Sequence, residues 1–318
     1  MRSRRARRAA KGPATVAALA VVFSTAADGS PPVPYEAPGP RPVLSAATLD
    51  ARYAATRRDV TAALRVAREA GDEGRVRALT GFLAPGRRFL SFDARGRGRA
   101  VEVVGDLAAA DRVAVVVPGA DGTLTGYDSW KFAGGGARAL YGEARRVSPG
   151  AQLAVIAWLG YASPSTLSAD VLTSGRANDA SRELRRFVGE VRRVNGTASL
   201  ALLCHSYGSV VCAKAARHVP AQDIALFGSP GTGIGHVSGL RTTARVWAGR
   251  ADGDWMSLVP HVRLFGIGFG TDPTSRSFGA RVFDAGSGRH SGYLKPGSTA
   301  LHSLTLIALG RPLEVPRA

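Results

Sequence analysis

The spacing of apolar and polar residues changes character along the chain. Over residues 45–84 apolar side chains at Leu49, Tyr53, Val60, Leu64 and Val66 recur at near-helical intervals. Gly71 divides that stretch into two helices, the second carrying Val76, Leu79 and Phe82. From residue 86 short apolar runs alternate with longer amphipathic ones. The pattern predicts a hairpin (88–92 and 100–104, turning over 94–98), a buried β-branched strand (112–117), a helix (132–147), a strand (152–159), an amphipathic helix (180–194), a strand from 199 and a helix (210–217). Strands at 223–227, 244–248 and 281–283 and a helix at 301–309 complete it. Strands alternating with helices indicate an α/β fold with a mostly parallel sheet.

Residues 28–43 are proline-rich and follow neither period, which reads as a linker. Before them, Arg2, Arg4, Arg5, Arg7, Arg8 and Lys11 precede a short apolar run, Ala14 to Phe23, and then small residues through Ala27. That order is expected of an export signal over residues 1–27, and the run falls short of the about 20 residues a membrane span needs. The organisation predicted is therefore signal, linker, helical segment (44–85) and α/β domain (86–318). The formal charge is +18, nearly all of it arginine, and removing residues 1–27 leaves +12. These arginines are dispersed and accompany no nucleic-acid-binding signature, so no specific nucleic acid is expected. Weak association with anionic wall polymers or lipid is consistent with the charge.

Chemistry concentrates at Cys204-His205-Ser206-Tyr207-Gly208, between the strand Leu200–Leu203 and the following helix. A serine with small residues two positions either side, at a strand-to-helix junction, has the form of a nucleophile elbow. Cys204 stands where that pattern has glycine. A serine hydroxyl is a poor nucleophile unless a histidine takes its proton and an acid orients the histidine. Beyond the strand ending at Gly249 lie Asp252 and Asp254. Asp254 is favoured because Gly253 allows the turn and Trp255-Met256 can wall off a carboxylate; Asp252 is the alternative acid. His290, between Gly288 and Gly292 after the final strand, is the expected base. The oxyanion would meet the N–H of Tyr207 and that of Ala120, with Asp121 next to it as a second choice. Cys204 and Cys212 are near enough in sequence for a disulfide across the junction, the alternative being two buried thiols. Metal binding is not expected, because the six histidines are dispersed.

Four segments, Val116-Val-Pro-Gly-Ala-Asp-Gly, Cys204-His-Ser-Tyr-Gly-Ser, Trp247-Ala-Gly-Arg-Ala-Asp-Gly-Asp-Trp and Arg289-His-Ser-Gly-Tyr, together resemble the α/β-hydrolase superfamily, and more closely an actinobacterial family of it with unassigned function. The resemblance extends over residues 86–310. It implies a sheet of eight mostly parallel strands, a Ser-His-Asp triad and no cofactor. The expected activity is that of a secreted serine hydrolase acting on a small-molecule carboxylic ester. An acyltransferase would use the same triad, and a catalytically silent surface-binding protein is the reading from another class. Residues 160–179 are the expected cap loop, with Tyr161, Leu167 and Leu172 lining a pocket; the helical segment is a second candidate cover.

Overall fold

The computed structural model describes residues 35–166, 175–259 and 269–318. Two helices come first, α1 (Leu49–Glu69) and α2 (Glu73–Phe82). The chain turns between them at Gly71, and Asp72 caps α2 by accepting the Arg75 N–H. Eight strands follow: β1 (Arg88–Asp93), β2 (Arg99–Val104), β3 (Arg112–Val117), β4 (Leu153–Leu159), β5 (Ser199–His205), β6 (Asp223–Phe227), β7 (Arg245–Gly249) and β8 (Arg281–Val282). They form a single sheet in the order β1-β2-β4-β3-β5-β6-β7-β8. β2 is antiparallel to both its neighbours, and all other pairs are parallel. Among the described residues no helix is long and apolar enough to cross a membrane.

Period-two alternation divides the core. Val113, Val115 and Val117 of β3, Ile156 and Trp158 of β4, and Leu200, Leu202 and Cys204 of β5 face one side. There they meet α4 (Gly175–Val194) through Leu184, Val188 and Val191, and α5 (Gly208–Ala215) through Val210 and Val211. Ala114, Val116, Val155 and Leu203 face the other side, against α3 (Ala133–Val147) and α6 (Thr299–Ala308). A strand buried on both faces carries a continuous apolar run, which is why β3, β4 and β5 were legible as strands.

Several boundaries differ from the sequence reading by a few residues, among them both ends of α5 (Gly208–Ala215 against 210–217), and two have a clear cause. Helix α4 starts at Gly175 rather than 180, because Arg176, Asn178 and Asp179 hide its first turn from an apolar pattern although Ala177 is buried. Helix α6 starts at Thr299 rather than 301, where the Ser298 hydroxyl accepts the Leu301 N–H. Helices α1 and α2 do not cover the elbow. Helix α1 packs on the edge strand β1, and its Arg52 guanidinium donates to Leu90 O at 2.7 Å and to Pro42 O at 2.7 Å.

The junction between β5 and α5 is bridged by a disulfide, Cys204–Cys212, with both residues fully buried. Cys204 thus stands in the small-residue position of the elbow with its side chain directed into the core beneath α5. Closing a loop of this length restricts the unfolded chain by about 2–3 kcal/mol. The double variant Cys204→Ala/Cys212→Ala should lose about that much in urea unfolding, whereas equal stability of the oxidised parent and the variant would show that the bridge adds nothing.

Candidate active site

Ser206 follows β5 with φ +51, in the left-handed region that non-glycine residues seldom occupy. Such a conformation costs about 1–3 kcal/mol and persists only where the surroundings enforce it. Here its N–H donates to Phe227 O at 2.9 Å, which ties the elbow to the end of β6. On the other side Gly208 approaches β3 so closely that a Cβ would lie 2.6 Å from Val117 O. Gly119 is in similar contact, and a Cβ there would lie 2.7 Å from Ser206 Cβ. The loop after β3 therefore runs directly past the serine. Two small residues permit what larger ones would block.

Ser206 Oγ lies 3.0 Å from His290 Nε2. His290 Nδ1 faces Asp254 at 2.9 Å from Oδ1 and 3.1 Å from Oδ2. Asp254 is 1% exposed and accepts two further hydrogen bonds, from Met256 N–H at 2.9 Å and from the Tyr293 hydroxyl at 2.5 Å. Burial alone would raise its pKa. The hydrogen bonds from His290, Tyr293 and the Met256 N–H outweigh burial and hold the carboxyl below the usual range. An ionised Asp254 requires a proton on Nδ1, so the Nε2 lone pair of a neutral His290 points at the serine hydroxyl.

The other buried carboxylates mark Asp254 out. Asp93 is paired with Arg95 and Arg99, Glu102 with Arg87 and Arg138, and Asp223 with Arg112 and Arg245. Asp254 is the buried carboxylate, among the described residues, whose charge meets no arginine or lysine. Its stabilisation comes from a histidine, a phenol and an amide, an arrangement that leaves the negative charge available to an imidazolium. Asp252 does not join the group. It is exposed, and its N–H donates to Gly286 O at 3.0 Å, which fixes the loop carrying Asp254 against the loop carrying His290.

The loop after β3 places Ala120 beside the elbow, and among the described residues the Ala120 N–H meets no acceptor. The Asp121 N–H is taken by Pro164 O at 2.8 Å, which removes it from the choice left open between these two amides. Tyr207 follows the serine at the start of α5, buried, with its ring edge-on to Phe269. Tyr161 is turned into the interior rather than toward a cap. It is 2% exposed and stacked on Trp158, and its hydroxyl lies 2.8 Å from Pro118 O and 2.9 Å from Gly119 O. Ser163 Oγ donates to Gly119 O at 2.7 Å as well. These contacts hold the Gly119 carbonyl, so the Ala120 N–H of the same trans peptide points the opposite way. Leu167 and Leu172 lie outside the described residues, as does the export segment.

Two functional neighbours escaped the sequence reading. Tyr293 stood inside a quoted segment with no role assigned. His205, quoted in the elbow pentapeptide with no role assigned, contacts His290 O through Nε2 at 2.8 Å, and its ring centroid is 4.9 Å from that of His290. A carbonyl only accepts, so Nε2 of His205 carries the proton. Histidine directly before an elbow serine is the only sequence signal for this brace.

The family described as Alpha/beta hydrolase matches residues 93–264, more than half of the chain, and the protein belongs to it. The matched span contains Ser206 and both aspartates and ends before His290. The uncharacterized protein Rv2079 of Mycobacterium tuberculosis is 30% identical over 247 residues, covering 68% of this chain and 37% of the relative. The chain thus spans little more than a third of the length of that relative. The uncharacterized protein Rv0963c of the same organism is 34% identical over 177 residues, covering 52% of this chain and 66% of the relative. Among solved structures, a Xanthomonas campestris a/b serine hydrolase without lid superimposes with a TM-score of 0.45 at 16% identity, covering 74% of this chain and 98% of the other. Esterase PE8 gives 0.44 at 15% identity, covering 64% and 95%.

The histidine brace has a pH signature. Burial, and next the adjoining His290 ring, push the His205 pKa from 6.5 down to about 3. Because the unfolded chain takes up this proton first, the contribution to stability is complete above about pH 6.5 and is lost as pH falls toward 3. His205→Gln keeps a donor for His290 O but cannot titrate. Urea midpoints measured from pH 7 to pH 4 should fall less steeply for the variant than for the parent; parallel slopes would refute the assignment.

Proposed function

We propose that the protein is a secreted serine hydrolase that cleaves a small-molecule carboxylic ester through an acyl-enzyme. The observation that carries this reading is the unbroken chain Ser206 Oγ–His290 Nε2 (3.0 Å) and His290 Nδ1–Asp254 (2.9 Å), built on a serine with left-handed backbone. In the reaction Ser206 Oγ attacks the ester carbonyl carbon and gives its proton to His290 Nε2. The N–H groups of Tyr207 and Ala120 hold the oxyanion. His290 then protonates the alcohol oxygen as the carbon–oxygen bond breaks. Water repeats the sequence on the acyl-enzyme and restores the serine. Asp254 stays ionised throughout, fixing the imidazole tautomer and stabilising the imidazolium. Tyr293 positions Asp254 through the 2.5 Å hydrogen bond.

Export is proposed together with the activity. A bridge between two fully buried cysteines persists most readily in an oxidising compartment, which agrees with the signal-like residues 1–27. Weak attachment to anionic wall polymers remains part of the same proposal.

The decisive experiment is labelling of the purified protein with a fluorophosphonate. Labelling of the parent and none of Ser206→Ala is the expected result, and the variant's kcat on an activated ester should fall by about 10⁴–10⁶. A folded parent that takes no label would end the hydrolase reading. Tyr293→Phe should be milder. Losing a hydrogen bond to a carboxylate is worth about 1.5–3 kcal/mol, so kcat/KM should drop about tenfold or more. The carboxyl loses a donor that lowers its pKa, so the acid limb of the pH–rate profile should move upward. A fall in kcat/KM with an unmoved acid limb would assign Tyr293 to packing alone.

A further inference from the structure

An open groove of about 850 Å³ borders His290, walled by Trp130, Lys131, Trp255, Arg289 and Lys295. Lys131, Arg289 and Lys295 are exposed, and among the described residues none of the three forms an ion pair. No acidic side chain is among the described walls. Cations without an ion pair also occur elsewhere on the surface, Arg58, Arg68 and Arg77 among them; what sets these three apart is that they ring one concavity beside His290 whose described walls hold no carboxylate. Gly297, Ser298 and Thr299, at the start of α6, lie in the same wall, so the positive end of that helix opens on the groove. The aromatic walls are placed for a planar group. Trp255 is 47% exposed, with its ring centroid 4.9 Å from that of His290, and Lys131 Nζ lies 5.6 Å from the Trp130 ring.

We infer that this groove is the leaving-group subsite and selects esters whose alcohol portion carries an anionic group, with a planar or apolar body against the tryptophans. The inference rests on the serine-hydrolase reading for its position in the reaction. His290 Nε2 receives the Ser206 proton as the Oγ–carbon bond forms, and it returns that proton to the ester oxygen as the carbon–oxygen bond breaks. The departing alcohol therefore leaves from the face of His290, where the groove begins. An anion on that alcohol is met by Lys131, Arg289 and Lys295 and by the amides at the α6 terminus, while the acyl part stays with Ser206 and the Ala120 loop.

The test compares meta-acetoxybenzoate with its neutral counterpart meta-acetoxybenzamide, which share an acyl group and have similar leaving phenols. Exposed charge pairs contribute modestly and are screened by salt, so a kcat/KM ratio of about tenfold in favour of the anion is expected at low ionic strength. The ratio should fall toward one in the triple variant Lys131→Gln/Arg289→Gln/Lys295→Gln and in high salt. Arg58→Gln/Arg68→Gln/Arg77→Gln removes the same charge from exposed sites on α1 and α2 and should keep the parental ratio. Equal kcat/KM for the two esters in the parent, or the same loss in both triple variants, would overturn the groove while leaving the hydrolase intact. Tryptophan quenching by the product meta-hydroxybenzoate supplies a readout independent of turnover. If neither ester is cleaved but the product quenches the parent and not the groove variant, the anion site stands and the hydrolase reading fails. If neither ester is cleaved and no quenching occurs, the subsite is refuted as well.

Discussion

The approach of the β3 loop to the β5–α5 elbow is the constraint on which the site depends. Ser206 holds φ +51 because its N–H is bound to β6 and its flanks are pressed against Val117, Pro118 and Gly119. Both strands lie side by side and parallel in the middle of the sheet, so the C-terminal ends of β3 and β5 deliver the two loops to one point. The same geometry serves opposite needs. It tilts a serine hydroxyl outward toward His290, and it brings Gly119 against that serine with no side chain in between. The disulfide under α5 and the Tyr161–Ser163 clamp on the loop carbonyls act on the two sides of this contact.

Buried charge is managed in two ways. Asp93, Glu102 and Asp223 are satisfied by arginines, an arrangement that fixes structure and leaves little for chemistry. Asp254 is satisfied by neutral donors and one imidazole. A guanidinium in that place would hold the carboxylate as firmly but would oppose an imidazolium forming 2.9 Å away. The choice of donors around a buried carboxylate thus separates a framework group from one suited to proton transfer.

Much of this was readable from local pattern. Strands buried on both faces give apolar runs, and Cys204 to Gly208 announces a tight junction through its small flanks. Asp254 and His290 followed from strand-end position, and the structure brings both to Ser206. What local pattern does not encode is which side chain reaches back across the sheet. Tyr161 looks like a pocket residue from its place in a connecting loop, yet its hydroxyl binds carbonyls 42 and 43 positions earlier. Asp252 and Asp254 are equivalent in type and nearly so in position. What distinguishes them is the short helical turn that follows, Trp255–Leu258, which Asp254 caps through the Met256 N–H and beside which Asp254 is buried while Asp252 is exposed. The first turn of α4 was hidden for a simpler reason, since its exposed polar residues carry no periodic signal.

The arginine excess takes on a different meaning in three dimensions. Read as composition, it describes a basic surface. In the fold many guanidinium groups are spent on main-chain carbonyls: Arg52 on Leu90 and Pro42, Arg75 on Ala94, Arg112 on Ala308, and Arg192 on Ala198 and Pro220. A planar fork with several donors suits strand ends and loop turns that leave carbonyls unpaired, and lysine offers no equivalent. Fixed in this way, such arginines act as connectors and present little free charge to a polymer. Net charge is therefore a poor guide to what this surface binds. The relevant cations are those the fold leaves unengaged, and beside His290 two of the chain's four lysines stand together with Arg289 in a single groove.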